Sequence, residues 1–396
     1  MTDESLAKKI RDSSCPICGQ QTALVLQLHF GKRLNLPTEV DVRHCRRDNF
    51  LFSGNGCQSD YDRYYEAVVN DSCHQEVSGG IARSPISKLQ NSQLLAALGG
   101  FFDTPRRVLD FGCGGASLLL ELATNFPSSS FFGCDPGPAA QNASDKAKML
   151  GLSNLFIVDM NESGNRAPYD LVIVSHVIEH VLDFDLINLL RGFLAESGLL
   201  YVEVPSSLRY ETQPRLEFLY YFDRLHVNHF TPQSLVRLVH GYDFGYLRHF
   251  EYAFPYRDGG EYPALGMLFK KGGAVVDLVS PDILEGTDRY IKGEKERAKA
   301  TISLLDRFEG AMIWGIGDNF YRSTENGGPL SNLRNMMLLD RRPHEASVRG
   351  RLYQTVEPQD GIRNSRWPVV IAVSEGRKEI GCQVADIDAN RRVLYI

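Results

Sequence analysis

The residues best placed to do chemistry in this 396-residue chain begin with an aspartate set against a glycine turn. Val108-Leu109-Asp110-Phe111 reads as a short buried strand, and it runs into Gly112-Cys113-Gly114-Gly115-Ala116 and then the apolar helical stretch Ser117 to Ala123. Strand, glycine turn and helix in that order bring backbone N–H groups close to a ligand. A dinucleotide fingerprint needs a third glycine where Ser117 stands, and a carboxylate at Asp110 would repel a pyrophosphate. The same carboxylate suits a ligand that is cationic and carries no phosphate at that point. Gly112 and Gly114 are the turn residues that would admit it.

Two further acids end predicted strands. Asp135 follows Ser130–Cys134, where it can accept hydrogen bonds from ribose hydroxyls, and Asp159 follows Leu155–Val158, where it can accept from an adenine amino group. The cofactor that combines adenosine with a cationic reactive end and no phosphate is S-adenosylmethionine. Tyr169–Val174 is the next strand, opening into Ser175-His176-Val177-Ile178-Glu179-His180. His176 and His180 are expected on one helix face, with Ser175 and His176 lining the cofactor pocket and Glu179 a helix-face charge. Methyl transfer from a sulfonium is an in-line displacement, so the protein must hold the two reactants together and remove a proton when the acceptor is a hydroxyl. His226, then His229, then Glu203 at the end of strand Gly198–Pro205 are the candidate bases.

A third group is cysteine-rich. Five of the eight cysteines fall in the first 73 residues, and Cys15-Pro16-Ile17-Cys18-Gly19 is a turn whose two thiolates can face one ion. Cys45 and, three residues on, Asp48 are the expected second pair of a structural zinc site, with His44, Cys57 and His29 as competing ligands.

The elements that must position these groups alternate helix and strand from about residue 85, a parallel α/β pattern. A helix at Gln233–His240 and strands near Gly245–Phe254 and Leu265–Lys270 follow, then a charged helix over Pro281–Glu309, expected to be a solvated connector. A second strand and glycine turn, Ala311–Trp314 and Gly315-Ile316-Gly317, opens a further Rossmann-like unit. The expected division is a zinc-knuckle segment over 1–80, an α/β domain over 81–275, a helical connector over 276–310 and a Rossmann-like domain over 311–396.

VLDFGCGG, the acidic strand ends, YDLVIVSHVIEHV and LLYVEVP, in this order, resemble the successive motifs of the class I S-adenosylmethionine-dependent methyltransferases over roughly residues 85–272. The three-part order of the chain resembles the sugar C-methyltransferases of deoxysugar biosynthesis. That resemblance implies a sugar, nucleotide-sugar or glycan-related acceptor, and a His-Glu-His group in the loop after the fifth strand. Aligned on His226, this chain has Arg224-Leu225-His226 there. Two positions have lost acid–base character, so O-methylation is expected first, with C- or N-methylation and a non-catalytic S-adenosylmethionine-binding module as alternatives. A nicotinamide-dependent oxidoreductase is a third class, weakened because neither glycine turn completes the fingerprint.

Charge narrows the partners. Residues 91–279 carry 14 basic and 21 acidic side chains, and the flanking segments are near neutral, which argues against a nucleic-acid surface. The basic run Arg43-His44-Cys45-Arg46-Arg47 is expected as a solvated loop. If the acceptor is anionic, Arg43, Arg46, Arg47, Arg341 and Arg342 are expected to meet its charge. No apolar run is long enough to span a membrane and no apolar leader opens the chain, so a cytoplasmic location is expected; the oligomeric state stays open.

Overall fold

The computed structural model describes residues 13–72, 85–137, 139–255, 260–274, 276–342, 344–373 and 376–396. The expected boundary at 80/81 lies outside them. The chain opens with strands β1 (Ala23–His29), β2 (Glu39–Cys45) and β3 (Phe50–Ser53), then helices α1 (Gln58–Ser72) and α2 (Pro85–Leu98).

The central sheet is built from β4 (Arg107–Phe111), β5 (Ser130–Cys134), β6 (Leu155–Val158), β7 (Tyr169–Ser175) and β8 (Leu194–Pro205), with α3 (Ser117–Asn125), α4 (Ala139–Met149), α5 (Met160–Asn165) and α6 (Asp185–Phe193) between them. These strands are parallel neighbours in the order β8-β7-β4-β5-β6. Val108, Leu109 and Leu171 to Val174 are buried on both faces, as strands covered by helices on either side must be. The chain runs outward from β4 to β5 and β6, then returns to β7 on the other side. That reversal opens a crevice at the carboxyl ends of β4 and β7.

After β8 come β9 (Asn228–His229), α7 (Pro232–His240), β10 (Phe244–Pro255) and β11 (Glu261–Lys271). β11 pairs antiparallel with β8 and β10 with β11, giving a seven-stranded mixed sheet. α7 starts on a capping box in which the Thr231 and Ser234 side chains each satisfy the other's backbone N–H.

The amino-terminal segment does not stand alone. Its sheet, β1-β2-β3, takes β9 as a fourth strand through Leu51–His229 and Phe52–Asn228. The basic run is only half a solvated loop: Arg46 and Arg47 lie exposed in the turn after β2, but Arg43, His44 and Cys45 belong to β2 itself, where His44 is buried and Arg43 bonds Thr22.

α8 (Ile283–Leu305) differs from the expected solvated connector. Ile283, Tyr290, Ala298 and Leu305 are buried in a core shared with the amino-terminal sheet and the 206–231 loop. Glu294, also buried, accepts the Leu219 N–H at 3.0 Å.

The chain ends with β12 (Ala311–Trp314), α9 (Asp318–Thr324), β13 (Met336–Leu339), β14 (Glu345–Val348), β15 (Arg351–Gln354), α10 (Pro358–Asn364), β16 (Val369–Ile371), α11 (Arg377–Ile387) and β17 (Val393–Tyr395). β13-β12-β16-β17 form a parallel sheet. Phe320 of α9 is buried in the same core as α8.

Arg224 ties these parts together. It is 1% exposed, forks onto the two Asp318 oxygens at 3.1 and 2.5 Å, and donates to the Gly31 carbonyl at 2.8 Å. One guanidinium thus joins the 206–231 loop, the amino-terminal segment and α9. Breaking a buried pair leaves a charge uncompensated. Arg224→Met should therefore lower the unfolding free energy by about 3 kcal/mol in urea titration; a midpoint equal to wild type would show that the clamp carries no stability.

Candidate functional site

The glycine turn after β4 needs backbone that only glycine supplies readily. Gly112 sits at φ +79°, and a Cβ there would lie 2.4 Å from Val177 Cγ2. Gly114 sits at φ +50° with open space where a Cβ would be, and its N–H donates to Asp135 Oδ2 at 2.9 Å. Gly137 N–H donates to Asp135 Oδ1 at 2.7 Å, so each Asp135 oxygen has one partner and keeps lone-pair capacity for another. Ala116 caps α3 in the left-handed conformation, which makes Ser117 the first residue of the helix.

Asp110 is buried, and Oδ1 has no hydrogen-bond partner among the described residues. Burial, with the Asp135 and Glu203 charges nearby, pushes its carboxyl up to about 7. A buried acid with an unmet oxygen beside an open glycine turn fits a ligand that brings positive charge or a donor. Asp159 is exposed and caps α5 by accepting the Glu162 N–H at 2.7 Å.

Across the crevice, at the ends of β7 and β8, is a second set of groups. Glu203 is 1% exposed and surrounded by donors: Tyr201 and Tyr252 hydroxyls on Oε2 at 2.6 Å, Gln90 and Ser175 on Oε1 at 2.8 and 3.1 Å, and His176 Nε2 at 3.4 Å. Burial works against this carboxylate, but the imidazole and tyrosine hydrogen bonds draw its pKa down to about 2. A carboxylate so fully engaged is a poor proton acceptor. Glu203, expected as third candidate base, is instead the anchor of His176.

His176 and His180 are not on a common α-helix. His176 is at φ +54° directly after β7, and His180 ends a single 3-10 turn, Ile178–His180. The turn places fully buried Glu179 between them: Glu179 Oε1 is 3.0 Å from His176 Nδ1 and 4.0 Å from His180 Nε2. Burial opposes charge on His176, yet Glu179 and Glu203 together raise its pKa to about 10. His180 Nδ1 meets the Tyr65 hydroxyl at 2.8 Å and the Leu225 carbonyl at 3.0 Å.

His226 comes up from the 206–231 loop, its ring centroid 4.8 Å from that of His180 and its Nδ1 3.9 Å from Asp223 Oδ2. Asp223 holds the loop turn by accepting the N–H groups of Leu225 and His226, both at 2.7 Å. His229 is elsewhere: it lies in β9, 1% exposed, with Nδ1 3.1 Å from the Tyr210 hydroxyl. Burial, with His226 nearby, lowers its pKa to about 3, and its ring packs edge-on against Tyr210 and Phe222. Of the three expected bases, Glu203 and His226 belong to the crevice cluster, and of these only His226 is not fully engaged by hydrogen-bond donors. Sequence reasoning missed Tyr65, Glu179, Asp223, Tyr201 and Tyr252. Only the alternation of Tyr201 and Glu203 along one strand face signalled any of them.

The expected cysteine set comes together. Ligand atoms of Cys15, Cys18, Cys45 and Asp48 lie within 4.8 Å of one another. Cys15 Sγ and Cys45 Sγ are 3.2 and 3.4 Å from Asp48 Oδ2, and Cys18 Sγ is 3.7 Å from Cys45 Sγ. Asp48 Oδ1 faces Arg237 at 3.6 Å, which leaves Oδ2 to the thiols. The competitors His29, His44 and Cys57 are outside the set; His29 pairs with Glu325.

The His176 environment predicts a pH effect on stability. Its pKa is raised from 6.5 to about 10, so its contribution is complete below about 6.5 and is lost as pH rises towards 10. Wild type should lose stability relative to His176→Asn between about pH 7 and pH 10, measured by denaturant titration at each pH. A constant difference across that range would mean His176 is not held as an imidazolium.

Residues 86–249 match the family model described as "Methyltransferase domain". The chain is 30% identical over 107 residues to trans-aconitate 2-methyltransferase of Methylobacterium radiotolerans, a stretch covering 27% of this chain and 40% of that protein. It therefore spans about two fifths of that relative's length. Among solved structures it is similar to a SAM-dependent methyltransferase of Methanosarcina mazei, with 19% identity, TM-score 0.35 and coverage of 43% of this chain and 94% of that one. It is also similar to magnesium protoporphyrin IX methyltransferase of Synechocystis PCC 6803 with bound SAH, with 16% identity, TM-score 0.40 and coverage of 53% and 97%. The glycine turn, the acidic strand ends and the family match over the same residues make 86–249 a class I S-adenosylmethionine-dependent methyltransferase domain.

Proposed function

We propose that the whole chain is an S-adenosylmethionine-dependent O-methyltransferase acting on a hydroxyl of a sugar, nucleotide-sugar or glycan-related small molecule. The observation that carries this reading is the pairing of a cofactor-type cradle at Asp110, Gly112, Gly114 and Asp135 with His226 and Asp223 across the same crevice. S-adenosylmethionine, when bound, supplies a methyl group activated by a sulfonium. Asp135 would hold its ribose hydroxyls, Asp159 its adenine amino group through the lone pairs left by the α5 cap, and Asp110 its positive end. Ser175 and His176 wall the cofactor side, with His176 fixed by Glu179 and Glu203.

Deprotonation of the acceptor depends on His226 in this scheme. Arg224 and Leu225, where the sugar C-methyltransferases carry acid–base residues, are a buried clamp and the supplier of the carbonyl that meets His180. That loss supports a hydroxyl over a carbon acid. The sugar class rests on the resemblance of the chain's order to those enzymes.

The cysteine set, in turn, is proposed to bind one structural zinc through Cys15, Cys18, Cys45 and Asp48. Three thiolates and a carboxylate are a closed donor set of the structural type. Cys15 and Cys45 share one core with Phe50, Phe52 and the central-sheet strands, so an ion there would lock the amino-terminal sheet to that core.

Two experiments test these assignments. Calorimetric titration should show binding of S-adenosylmethionine and none of NAD. Assay against nucleotide-sugars, sugar phosphates and trans-aconitate should find turnover that falls by on the order of 10²–10⁴ in His226→Ala with cofactor affinity unchanged. NAD binding without S-adenosylmethionine binding would overturn the reading, and full turnover in His226→Ala would remove that residue from it. Elemental analysis of protein purified without chelator should find zinc that Cys18→Ser lacks; zinc-free wild type would refute the metal assignment.

A further inference from the structure

Among the described residues, one group of side chains besides the cysteine set converges as metal ligands do. Ligand atoms of Glu179, His180 and His226 lie within 4.8 Å of one another. We propose that these three residues hold a divalent first-row transition-metal ion at the acceptor end of the crevice, and that this ion, with His226 as its ligand, promotes deprotonation of the acceptor. The proposal rests on the O-methyltransferase reading and refines its proton-transfer step.

Four observations lead there. Glu179 is 0% exposed, and its Oε2 has no hydrogen-bond partner among the described residues. A buried carboxylate oxygen without a donor is costly unless something cationic or protic meets it. His226 Nδ1 is also buried without a hydrogen-bond partner. His180 is held from the far side, where Nδ1 meets the Leu225 carbonyl at 3.0 Å and the Tyr65 hydroxyl at 2.8 Å, and a proton on Nδ1 satisfies that carbonyl. Neutral His180 then presents a bare Nε2 lone pair towards Glu179 Oε1, 4.0 Å away. Finally, His176 occupies Oε1 at 3.0 Å, which leaves Oε2 as the carboxylate's open donor.

Two imidazoles and one carboxylate suit zinc, cobalt, iron or manganese, and three protein ligands leave a coordination position open for substrate oxygen. The backing of His180 by a backbone carbonyl is the outer support that metal-bound histidines generally have. Closing the set onto an ion needs its atoms to approach to about 3.3 Å. The His226 loop and the 3-10 turn can supply that by side-chain rotation. A hydroxyl beside such an ion loses its proton to solvent water more readily. The freed oxygen then forms the O–C bond to the methyl group while the C–S bond breaks and its electron pair returns to sulfur. The ion is neither oxidised nor reduced.

The test uses cobalt(II) as the probe on full-length protein as purified. Titration should produce weak visible d–d absorption without a thiolate charge-transfer band, which separates this site from the cysteine set. Glu179→Gln and His226→Gln should each abolish that absorption, and circular dichroism should confirm that both variants are folded. Chelator treatment should cost turnover that cobalt or manganese restores. Absorption absent from wild type, or present equally in both variants, would overturn the cation site, as would turnover indifferent to chelator. Those results leave the O-methyltransferase reading standing if S-adenosylmethionine still binds and methyl transfer proceeds. Failure of that binding would instead remove the reading on which the site depends.

Discussion

The crevice is organised around the need to keep Glu203 charged where water cannot reach it. A carboxylate that is 1% exposed survives ionised only if donors replace its hydration, and the donors come from four different elements. Tyr201 stands on the same strand, Tyr252 on the neighbouring hairpin, Gln90 on α2 and Ser175 and His176 at the end of β7. Meeting that requirement fixes α2 against the sheet edge and fixes His176 in a left-handed backbone conformation. His176 in turn draws Glu179 inward, and Glu179 sets the position of the 3-10 turn on which His180 sits.

The proposed acceptor side is held by contacts from the amino-terminal sheet and from α9 as well as from the central sheet. β9 completes the amino-terminal sheet, so the loop carrying His226 is stitched at one end to β3. Its middle is held from the carboxy-terminal side: Arg224 grips Asp318, and Arg322 of α9 pairs with Glu217 and donates to the Phe218 carbonyl. Two buried guanidiniums therefore cross between the loop and α9 in opposite senses. A loop of some two dozen residues with little regular structure gains a defined shape by being clamped from both flanks, which explains why the flanking segments accompany the central sheet.

Much of the frame was legible because strands buried on both faces write themselves as short apolar runs. β5, β6 and β12 fall on the residues their runs mark, and β4 and β7 differ from them by one residue at an end. The acidic strand ends and the cysteine spacing were legible for the same reason: they depend on local position. What failed depended on tertiary context. His176 and His180 share helical spacing, but the buried Glu203 and Glu179 charges hold them off a helix. α8 is rich in charge and looked solvated, although Tyr290 and Glu294 are buried against a loop some 70 residues earlier. His229 and Glu203 have the chemistry of bases, and only burial and partners show that neither is available.

Charge also bears on the proposed acceptor. Arg43, expected to meet an anionic group, is committed to Thr22, and Arg341 bonds Gln383. In and around the acceptor loop, Arg224 is paired with Asp318, Arg322 with Glu217, and Arg215 donates to the Glu261 carbonyl. The crevice itself presents Asp110, Asp135, Glu179, Glu203 and Asp223, against which His176 is already counted. Such a surface repels an anion at the reacting end and welcomes a cationic methyl donor. Under the proposed O-methyltransferase reading, it favours an acceptor that is a neutral hydroxyl near His226 and carries any phosphate well away from the methyl group. Five of the 21 acids of the middle segment thus line the crevice in which the proposed cationic donor would be held.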